Sequence, residues 1–379
     1  MSNNNHVIDL NITLTSPLYL AYPDNQEKFG SGKICRTVKK PVFVSNEKYA
    51  EKSDIPYVPS NGFRGGLRRA AAARVMAALK PEGGVPTPLY LGLTCGASTG
   101  NPDSTPLSVE ELLRARRNVY MGVFGGGARM LQSEYRASDL NPVLKFTLDA
   151  GVVPDSCAER VKPRHTDDAE NAAYVDPWML TKGILNMIRV DDVARVMRPD
   201  EIMEYLNSPE ESVAAHQEFI MGNNDDRKEG TASKESVANM MTFETLATGT
   251  QMHLRLTLTS AVSEAQLGLM LYALNDMIRE NSLGGMGRLG LGQYRVDALK
   301  VQIGDTLGCG EVNGVDMGPA DQFSLPEDPI VQRLLDAADQ GLSQLTIAEM
   351  ESYFIDFSAG KKAEKKAKAK KAAAEQAEA

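Results

Sequence analysis

Residues 251–303 read QMHLRLTLTSAVSEAQLGLMLYALNDMIRENSLGGMGRLGLGQYRVDALKVQI and decide the fold. Apolar residues first alternate with polar ones, which is typical of a strand with one buried face, at Met252, Leu254, Leu256 and Leu258. Ser263 precedes apolar residues at helical spacing, so we predict that it caps a helix; these residues are Leu267, Met270, Leu271, Leu274, Met277 and Ile278. A glycine-rich stretch follows, and residues 294–303 predict another strand. His253, which alternates with the apolar residues, is expected to face the surface.

The N-terminal region begins in the same way. Alternation at Ile8, Leu10, Ile12 and Leu14 predicts a first strand, and residues 16–40, rich in Pro, Gly and charge, predict a loop. In the stretch 55–80, two prolines favour an extended approach to a helix that Ser60 or Asn61 is expected to cap. Strand–helix followed, after a long insertion, by strand–helix–strand predicts an α+β fold with a ferredoxin-like arrangement of the RRM type.

Composition limits the class of protein. A hydrophobic content of 42% over 379 residues predicts a globular chain with a sizeable core. The net charge is −9, and because the tail from Lys361 to Ala379 holds seven Lys and three Glu, the rest of the chain carries −13. This excludes a bulk polycation but leaves room for a binder of phosphates with a few local arginines.

Cysteine spacing and hydropathy further limit which kinds of protein this chain could be. The four cysteines are far apart, which excludes a zinc site of closely spaced ligands and favours reduced thiols. The chain shows neither a secretory signal nor an apolar stretch long enough to span a bilayer. We therefore expect a cytoplasmic protein without membrane contact.

Three glycines interrupt the start of the first predicted helix, within SNGFRGGLRR at residues 60–69. Glycine there lets a ligand approach the backbone, and free N–H groups at a helix start favour anions. Arg64 and Arg68 are four residues apart, so they share a helix face and could bracket one or two phosphates. A capped amphipathic helix with a solvated arginine edge explains the same residues, and the pattern leaves both interpretations open. The candidate anion contacts are Ser60, Asn61, Gly62, Phe63, Arg64, Gly65, Arg68 and Arg69.

The second candidate is the glycine-rich stretch at residues 284–292. It follows a predicted helix and precedes a strand, the reverse of the order in a dinucleotide-binding fingerprint, and no Gly-Lys-Ser/Thr follows as in a P-loop. An electropositive backbone surface remains, although a plain helix-to-strand connector is an equal alternative. Its candidate contacts are Gly284, Gly285, Met286, Gly287 and Arg288.

Catalysis finds little support in the sequence. None of the four histidines stands in a recognisable constellation with a carboxylate or cysteine, so we predict no catalytic residue, no metal site and no cofactor. Arg129, behind a triple glycine, is a further candidate for anion contact. Arg164 and His165 could also touch a ligand, although an exposed loop explains His165 as well.

These motifs resemble those of a known family. IPYVPSNGFRGGLRR resembles the proline–serine–x–(arginine or lysine)–glycine–x–arginine signature of the repeat-associated mysterious protein (RAMP) superfamily, and GGMGRLGLGQYRV resembles its glycine-rich loop. MTFETLATGTQMHLRLTL resembles the segment that leads from the thumb insertion back into the sheet of backbone subunits in multi-subunit CRISPR effectors. The length and insertion are most similar to the type IV backbone subunit, and the resemblance covers most of residues 7–305.

The resemblance implies an RRM-like palm with large finger and thumb insertions. Residues 1–159 would be the first half of the palm with finger-type insertions, and residues 160–245 a largely helical, thumb-like insertion. Residues 246–359 would complete the palm, and the Lys/Ala-rich tail at 360–379 is expected to be disordered. Within the insertion, we predict a helical stretch at 191–207 and a polar loop at 222–234.

The resemblance also implies a role. Such subunits oligomerise as a helical filament along a guide RNA (crRNA) and hold its backbone, while base pairing reads the target DNA. Other effector subunits and a recruited helicase would be further partners. Met240 and Met241 are candidates to wedge between bases, or else an ordinary core pair. All the candidate contacts above would then be RNA contacts.

One departure from the family bears on cleavage. Target-cleaving relatives carry an aspartate in the loop after the first strand, whereas here Asp24 is the only aspartate of that segment and comes too early. We therefore expect a subunit that does not cut its target. An endoribonuclease of the same superfamily, with or without a metal, and a protein-only scaffold remain as alternatives.

Overall fold

The computed structural model describes residues 5–29, 32–47, 49–80, 84–96, 108–127, 130–164, 173–181, 183–190, 211, 238–280 and 282–354. Its strands are β1 (His6–Leu14), β2 (Ala21–Phe29), β3 (Gly32–Thr37), β4 (Lys39–Ser45), β5 (Ala50–Pro56), β6 (Tyr135–Ala137), β7 (Asn141–Pro142), β8 (Gly183–Val190), β9 (Ala238–Thr245), β10 (Gln251–Leu258), β11 (Tyr294–Ile303) and β12 (Gly310–Pro319). Its α-helices are α1 (Ser60–Leu79), α2 (Thr87–Cys95), α3 (Val109–Arg117), α4 (Met121–Phe124), α5 (Lys145–Asp149), α6 (Glu264–Arg279), α7 (Pro329–Ser343) and α8 (Ile347–Phe354). Short 3-10 turns include Asp155–Arg160, Pro177–Thr181 and Gly287–Leu289.

The central sheet is built on the alternating segments of the sequence. Its strands follow the order β12–β11–β1–β10–β6, with β7 also pairing with β10, and all neighbours are antiparallel. The middle strand, β1, buries one row of side chains: Ile8, Leu10, Ile12 and Leu14. Leu10 lies opposite Leu254 on one side and Leu299 on the other, so this row is continuous across the sheet. The three strands predicted from alternation are confirmed.

Helices α1 and α6 belong to the same hydrophobic core as the sheet. In α6, all six predicted apolar residues are buried. Ser263 caps this helix as predicted: its Oγ accepts a hydrogen bond from the backbone N–H of Gln266 at 3.3 Å, and Oε1 of Gln266 accepts from the N–H of Ser263 at 3.0 Å. Burial of each large apolar side chain contributes about 1.5–3 kcal/mol, so this face of α6 is a main source of stability.

The prediction that Ser60 or Asn61 caps α1 is wrong. The helix begins at Ser60, directly after Pro59, and neither Ser60 nor Asn61 caps it through its side chain. The backbone N–H of Ser60 instead donates to Oδ1 of Asp139 at 2.9 Å. A carboxylate from a distant segment therefore satisfies the helix start, and local sequence does not reveal such a partner.

A second sheet follows the order β2–β3–β9–β8, in which β3 and β9 are parallel. The prediction of a loop over residues 16–40 is therefore wrong, because β2 and β3 lie within this range. Its polar sequence hides the strands, whose partner β9 comes some 200 residues later. In the range 160–245, the described regular elements are the turn Pro177–Thr181 and strands β8 and β9. The helix predicted at 191–207, the loop at 222–234 and the tail at 360–379 lie outside the described residues.

Helices together with predominantly antiparallel sheets confirm the α+β class. The long hairpin of β4 and β5 packs on α5 through Val44, Ile55 and Phe146. In the described part of the chain, no helix combines the length and the hydropathy that crossing a bilayer requires.

Candidate nucleic-acid interface

The first turns of α1 lie beside the last turn of α6. Gly66 makes this approach possible, since a Cβ atom at this position would lie 2.9 Å from Sδ of Met277. Residues 284–292 continue from the end of α6, so they lie towards the same end of the α1–α6 pair as the start of α1. The sequence alone did not show that the two segments lie at the same end of this helix pair.

Arg64 and Arg68 share a helix face, as their spacing predicts, but differ in their surroundings. Arg68 donates to the carbonyl oxygens of Phe124 and, at 3.2 Å, Gly125. Its guanidinium thereby closes the C-terminal end of the short helix α4. Arg64 lies over the Tyr135 ring, 5.5 Å from the centroid, and Nη2 is 3.4 Å from Oγ of Ser133. Arg68 therefore has a structural role, whereas Arg64 makes fewer strong contacts.

The rest of the α1 motif divides into buried and exposed residues. Phe63 is buried in the core and Ser60 is half-buried, while Asn61, Gly62 and Arg69 are exposed. The space above Gly62 is open, because an added Cβ would meet nothing within 4 Å. Arg69 folds back over Gly65, whose Cβ would lie 3.3 Å from Nη1 of the arginine. The exposed part of the motif thus offers open backbone beside one cationic side chain.

The glycine-rich loop, residues 284–292, is fixed against the segment that follows β1. The N–H of Gly285 donates a hydrogen bond to the carbonyl oxygen of Tyr19, and the N–H of Gly292 donates one to the carbonyl oxygen of Pro17, each at 2.9 Å. Gly284 has a φ of +71°, and a Cβ there would lie 2.4 Å from the Tyr19 oxygen. Close backbone contacts give a structural reason for glycine at positions 284 and 292, and the hydrogen bonds fix the loop against the preceding segment.

The same loop presents a cation to solvent. Arg288 is exposed within the turn Gly287–Leu289, and Leu289 beside it is 58% exposed. Met286, with a φ of 64°, packs its side chain against a cluster of Tyr19, Phe243 and Leu291. This cluster joins the loop to β9 of the second sheet, so Arg288 is held on a supported turn.

The remaining predicted contacts lie elsewhere or cannot be placed. Arg164 is exposed, and its N–H donates to the carbonyl oxygen of Ala173 at 2.8 Å. Met240 and Met241 lie in β9, opposite Ile188 and Met187 of β8. Arg129 and His165 are outside the described residues. Of the triple glycine before Arg129, Gly125 has a φ of +59°, and a Cβ there would lie 2.2 Å from the Leu131 oxygen.

The other face of the central sheet carries a polar cluster that the sequence reasoning missed. Arg255 donates through Nε and Nη2 to the two carboxylate oxygens of Asp9 at 2.7 and 2.8 Å. His253 is 2% exposed, with Nδ1 3.0 Å from Oδ1 of Asn11 and Nε2 3.4 Å from Oδ1 of Asp9. The prediction of a surface-facing His253 is therefore wrong. The register places Asp9 opposite Arg255 and Asn11 opposite His253, so strand pairing was the signal that could have revealed the cluster.

Burial and hydrogen bonding set the protonation of this cluster. Burial alone would raise the pKa of Asp9, but hydrogen bonds from His253 and Arg255 outweigh it and lower the pKa to about 2. Burial raises the pKa of the neighbouring Cys157 thiol to about 11. The Asp9 carboxylate therefore stays ionised and the Cys157 thiol protonated at neutral pH, and both residues are buried.

Comparisons with known proteins give a likeness among solved structures. No family model matches the sequence, and no curated protein matches it. Among solved structures, the chain is similar to one described as "Type IV-B CRISPR Complex", with 17% identity and a TM-score of 0.43 over 86% of this chain and 96% of the other. Among the described residues, no group of three or more His, Cys, Asp or Glu side chains is arranged to hold a metal ion.

Proposed function

We propose that this chain is the guide-RNA-binding backbone subunit of a type IV CRISPR effector and that it does not cleave its target. The observation that carries the proposal is that both glycine-rich motifs lie towards the same end of the α1–α6 pair, where Gly66 meets Met277. Each motif has one glycine with open space above it, Gly62 or Gly290. Each also has an exposed arginine, Arg69 in the first motif and Arg288 in the second. The motif resemblance supplies the family and the type.

The proposal treats the central sheet and its two helices as an RRM-like palm. In the order β11–β1–β10–β6, β1 leads to α1, and β10 is joined through α6 to β11. This order supports a ferredoxin-like arrangement in which β6 would be the second strand. The second sheet joins β2 and β3 to β8 and β9, and would support the finger and thumb insertions.

RNA would be held by its backbone at this surface. Arginine matches phosphate through two parallel hydrogen bonds, and exposed glycine lets a strand approach the main chain. We assign the phosphate contacts to Arg64, Arg69 and Arg288, with Asn61 and Gly62 at the exposed helix start. Arg68 would act indirectly, because its donors face the carbonyl oxygens of residues 124 and 125. Such a grip ignores base identity, which suits a subunit that must hold any guide.

Assembly and target recognition follow from the same proposal. Copies of the chain would line up along the guide, contact other effector subunits, and leave the bases free to pair with target DNA. A recruited helicase would act downstream. The absence of cleavage is part of the proposal: Asp24 lies in β2, and the acid–base pair of Asp9 and His253 is buried, at 8% and 2% exposure.

The proposal is tested by expressing the full chain together with a guide RNA and purifying it. We expect co-purified RNA of uniform length that remains intact on incubation and elongated particles in electron micrographs. Purified protein that carries no nucleic acid would contradict guide binding. RNA shortened at regular intervals, and spared in an Asp24→Ala variant, would instead favour the endoribonuclease.

A further inference from the structure

A cavity of about 170 Å³ opens beside the start of β10, and none of its lining residues belongs to either glycine-rich motif. It lies between the turn that enters β10, the N-terminal end of α5 and the chain around residues 160–162 and 174–175. None of its lining residues is among the RNA contacts assigned above, although Arg164 follows Lys162 by two residues.

The charged residues that line the cavity are all cations: Lys145, Arg160 and Lys162. Two of them have carboxylate partners outside the lining, since Lys145 pairs with Asp149 and Arg160 pairs with Asp297. Lys162 is exposed and has no ion pair to any residue that the structure describes. Three cations against two carboxylates leave one positive charge. In a chain whose body is strongly acidic, this marks a local site for an anion.

The geometry of Arg160 suits it to hold that anion. Its Nη2 donates to Oδ2 of Asp297 at 2.6 Å, and Oδ1 of the same carboxylate pairs with Nε of Arg295 at 3.1 Å. The guanidinium is thereby fixed, with 19% of the side chain exposed. Arginine carries five N–H donors, and Nε of Arg160 has no hydrogen-bond partner among the described residues. A cation fixed in advance loses little entropy when it binds a phosphate.

An aromatic ring and an amide line the cavity beside these cations. Tyr174 is 41% exposed and offers a ring to an incoming group. Gln251 keeps its Oε1 buried without a hydrogen-bond partner among the described residues, and rotation of the amide would bring a donor or an acceptor to the cavity. Cations beside an exposed ring and an amide match the three parts of a nucleotide: phosphate, base and polar edge.

We infer that this cavity binds one nucleotide unit of a single-stranded nucleic acid, with the phosphate against Arg160 and Lys162 and the base against Tyr174. The inference rests on the proposal that the chain binds nucleic acid, and it adds a second contact point to that proposal. The strand would leave the surface that carries the glycine-rich motifs and contact the protein again at this site.

The test is binding of fluorescently labelled single-stranded RNA to the full chain, measured by anisotropy at several salt concentrations. The variants are Lys162→Glu, Lys162→Arg as the conservative rescue, Tyr174→Ala and Tyr174→Phe. Lys80→Glu, at the exposed end of α1, controls for bulk charge. We expect Tyr174→Ala to weaken binding about fivefold or more, as the loss of one base stack does, and Tyr174→Phe to preserve it. Lys162→Glu should reduce the magnitude of the negative slope of log affinity against log salt by about 0.7, and Lys162→Arg should restore the wild-type slope.

The outcomes distinguish failure of the cavity site from failure of the proposed function. Unchanged binding in the Lys162 and Tyr174 variants, with weaker binding in Arg288→Ala, would overturn the cavity alone and leave the proposed function in place. Equal effects of Lys162→Glu and Lys80→Glu would show a bulk charge effect and also overturn the cavity. A wild-type chain that binds no RNA would overturn both.

Discussion

Replacement of Arg68 by alanine tests whether this arginine has a structural role or grips RNA. The side chain is half-buried, and its guanidinium donates to the carbonyl oxygens of Phe124 and Gly125 and lies 3.4 Å from the Tyr120 hydroxyl. A hydrogen bond to a charged group contributes about 1.5–3 kcal/mol, and partial exposure favours the lower value. Loss of the two carbonyl bonds should therefore cost about 3 kcal/mol. For a large domain, this lowers the melting temperature by about 5 °C or more.

The assay is thermal unfolding followed by circular dichroism, with Arg69→Ala as the matched control. Arg69 is the next residue of the same helix but is exposed, so its replacement should leave the melting temperature unchanged within about 1 °C. A stable Arg68→Ala protein that has lost as much RNA affinity as an Arg288→Ala protein would refute the structural role. It would show that Arg68 leaves its carbonyl partners to bind phosphate.

Three further predictions concern stability. Gly292→Ala should destabilise the chain more than Gly290→Ala in urea unfolding. Both glycines have a positive φ, but only at Gly292 would a Cβ lie 1.9 Å from a backbone oxygen, that of Leu283. Equal effects of the two substitutions would contradict a tightly fixed loop. Asp9→Asn should lower the free energy of unfolding by about 2 kcal/mol at neutral pH, because the pKa of Asp9 in the folded chain lies below its unfolded value. This stability advantage of the wild type should vanish as the pH falls from about 4 towards 2. A pH-independent difference in the unfolding free energy would show that the ionised carboxylate contributes nothing. Ser263→Ala should cost about 1 kcal/mol and Ser263→Asp much less, and a larger loss in the aspartate variant would contradict capping.

The predictable parts of the fold are those whose cause is local. Alternation in β1 and β10, the strand predicted at 294–303 and the Ser263 cap of α6 depend on short-range sequence, and the structure confirms them. The cap of α1 was not predictable, because Asp139 reaches Ser60 from 79 residues away. Strands β2 and β3 were hidden for the same reason, since the sequence around them is polar and their sheet partner β9 is distant.

The candidate site shows the same division. The glycines marked both motifs in the sequence, but only the fold shows that Gly66 meets Met277 and that Arg68 serves the end of α4. His253 was placed on the surface because it alternates with apolar residues on its strand. Both faces of that strand are in fact covered, and His253 meets Asn11 and Asp9 on the second face. Alternation predicts which residues share a face, but it does not reveal what covers that face.

The most direct test of the central claim is the salt dependence of RNA binding for the wild type and for a double variant, Arg64→Ala with Arg288→Ala. One arginine comes from each motif, and within the described part of the chain neither is bonded to a backbone carbonyl as Arg68 is. If the two motifs hold one RNA backbone, the negative slope of log affinity against log salt should become shallower by about 1.4 in the double variant. The loss of affinity should be equal for unrelated RNA sequences. An unchanged slope, or a loss confined to one RNA sequence, would contradict the account.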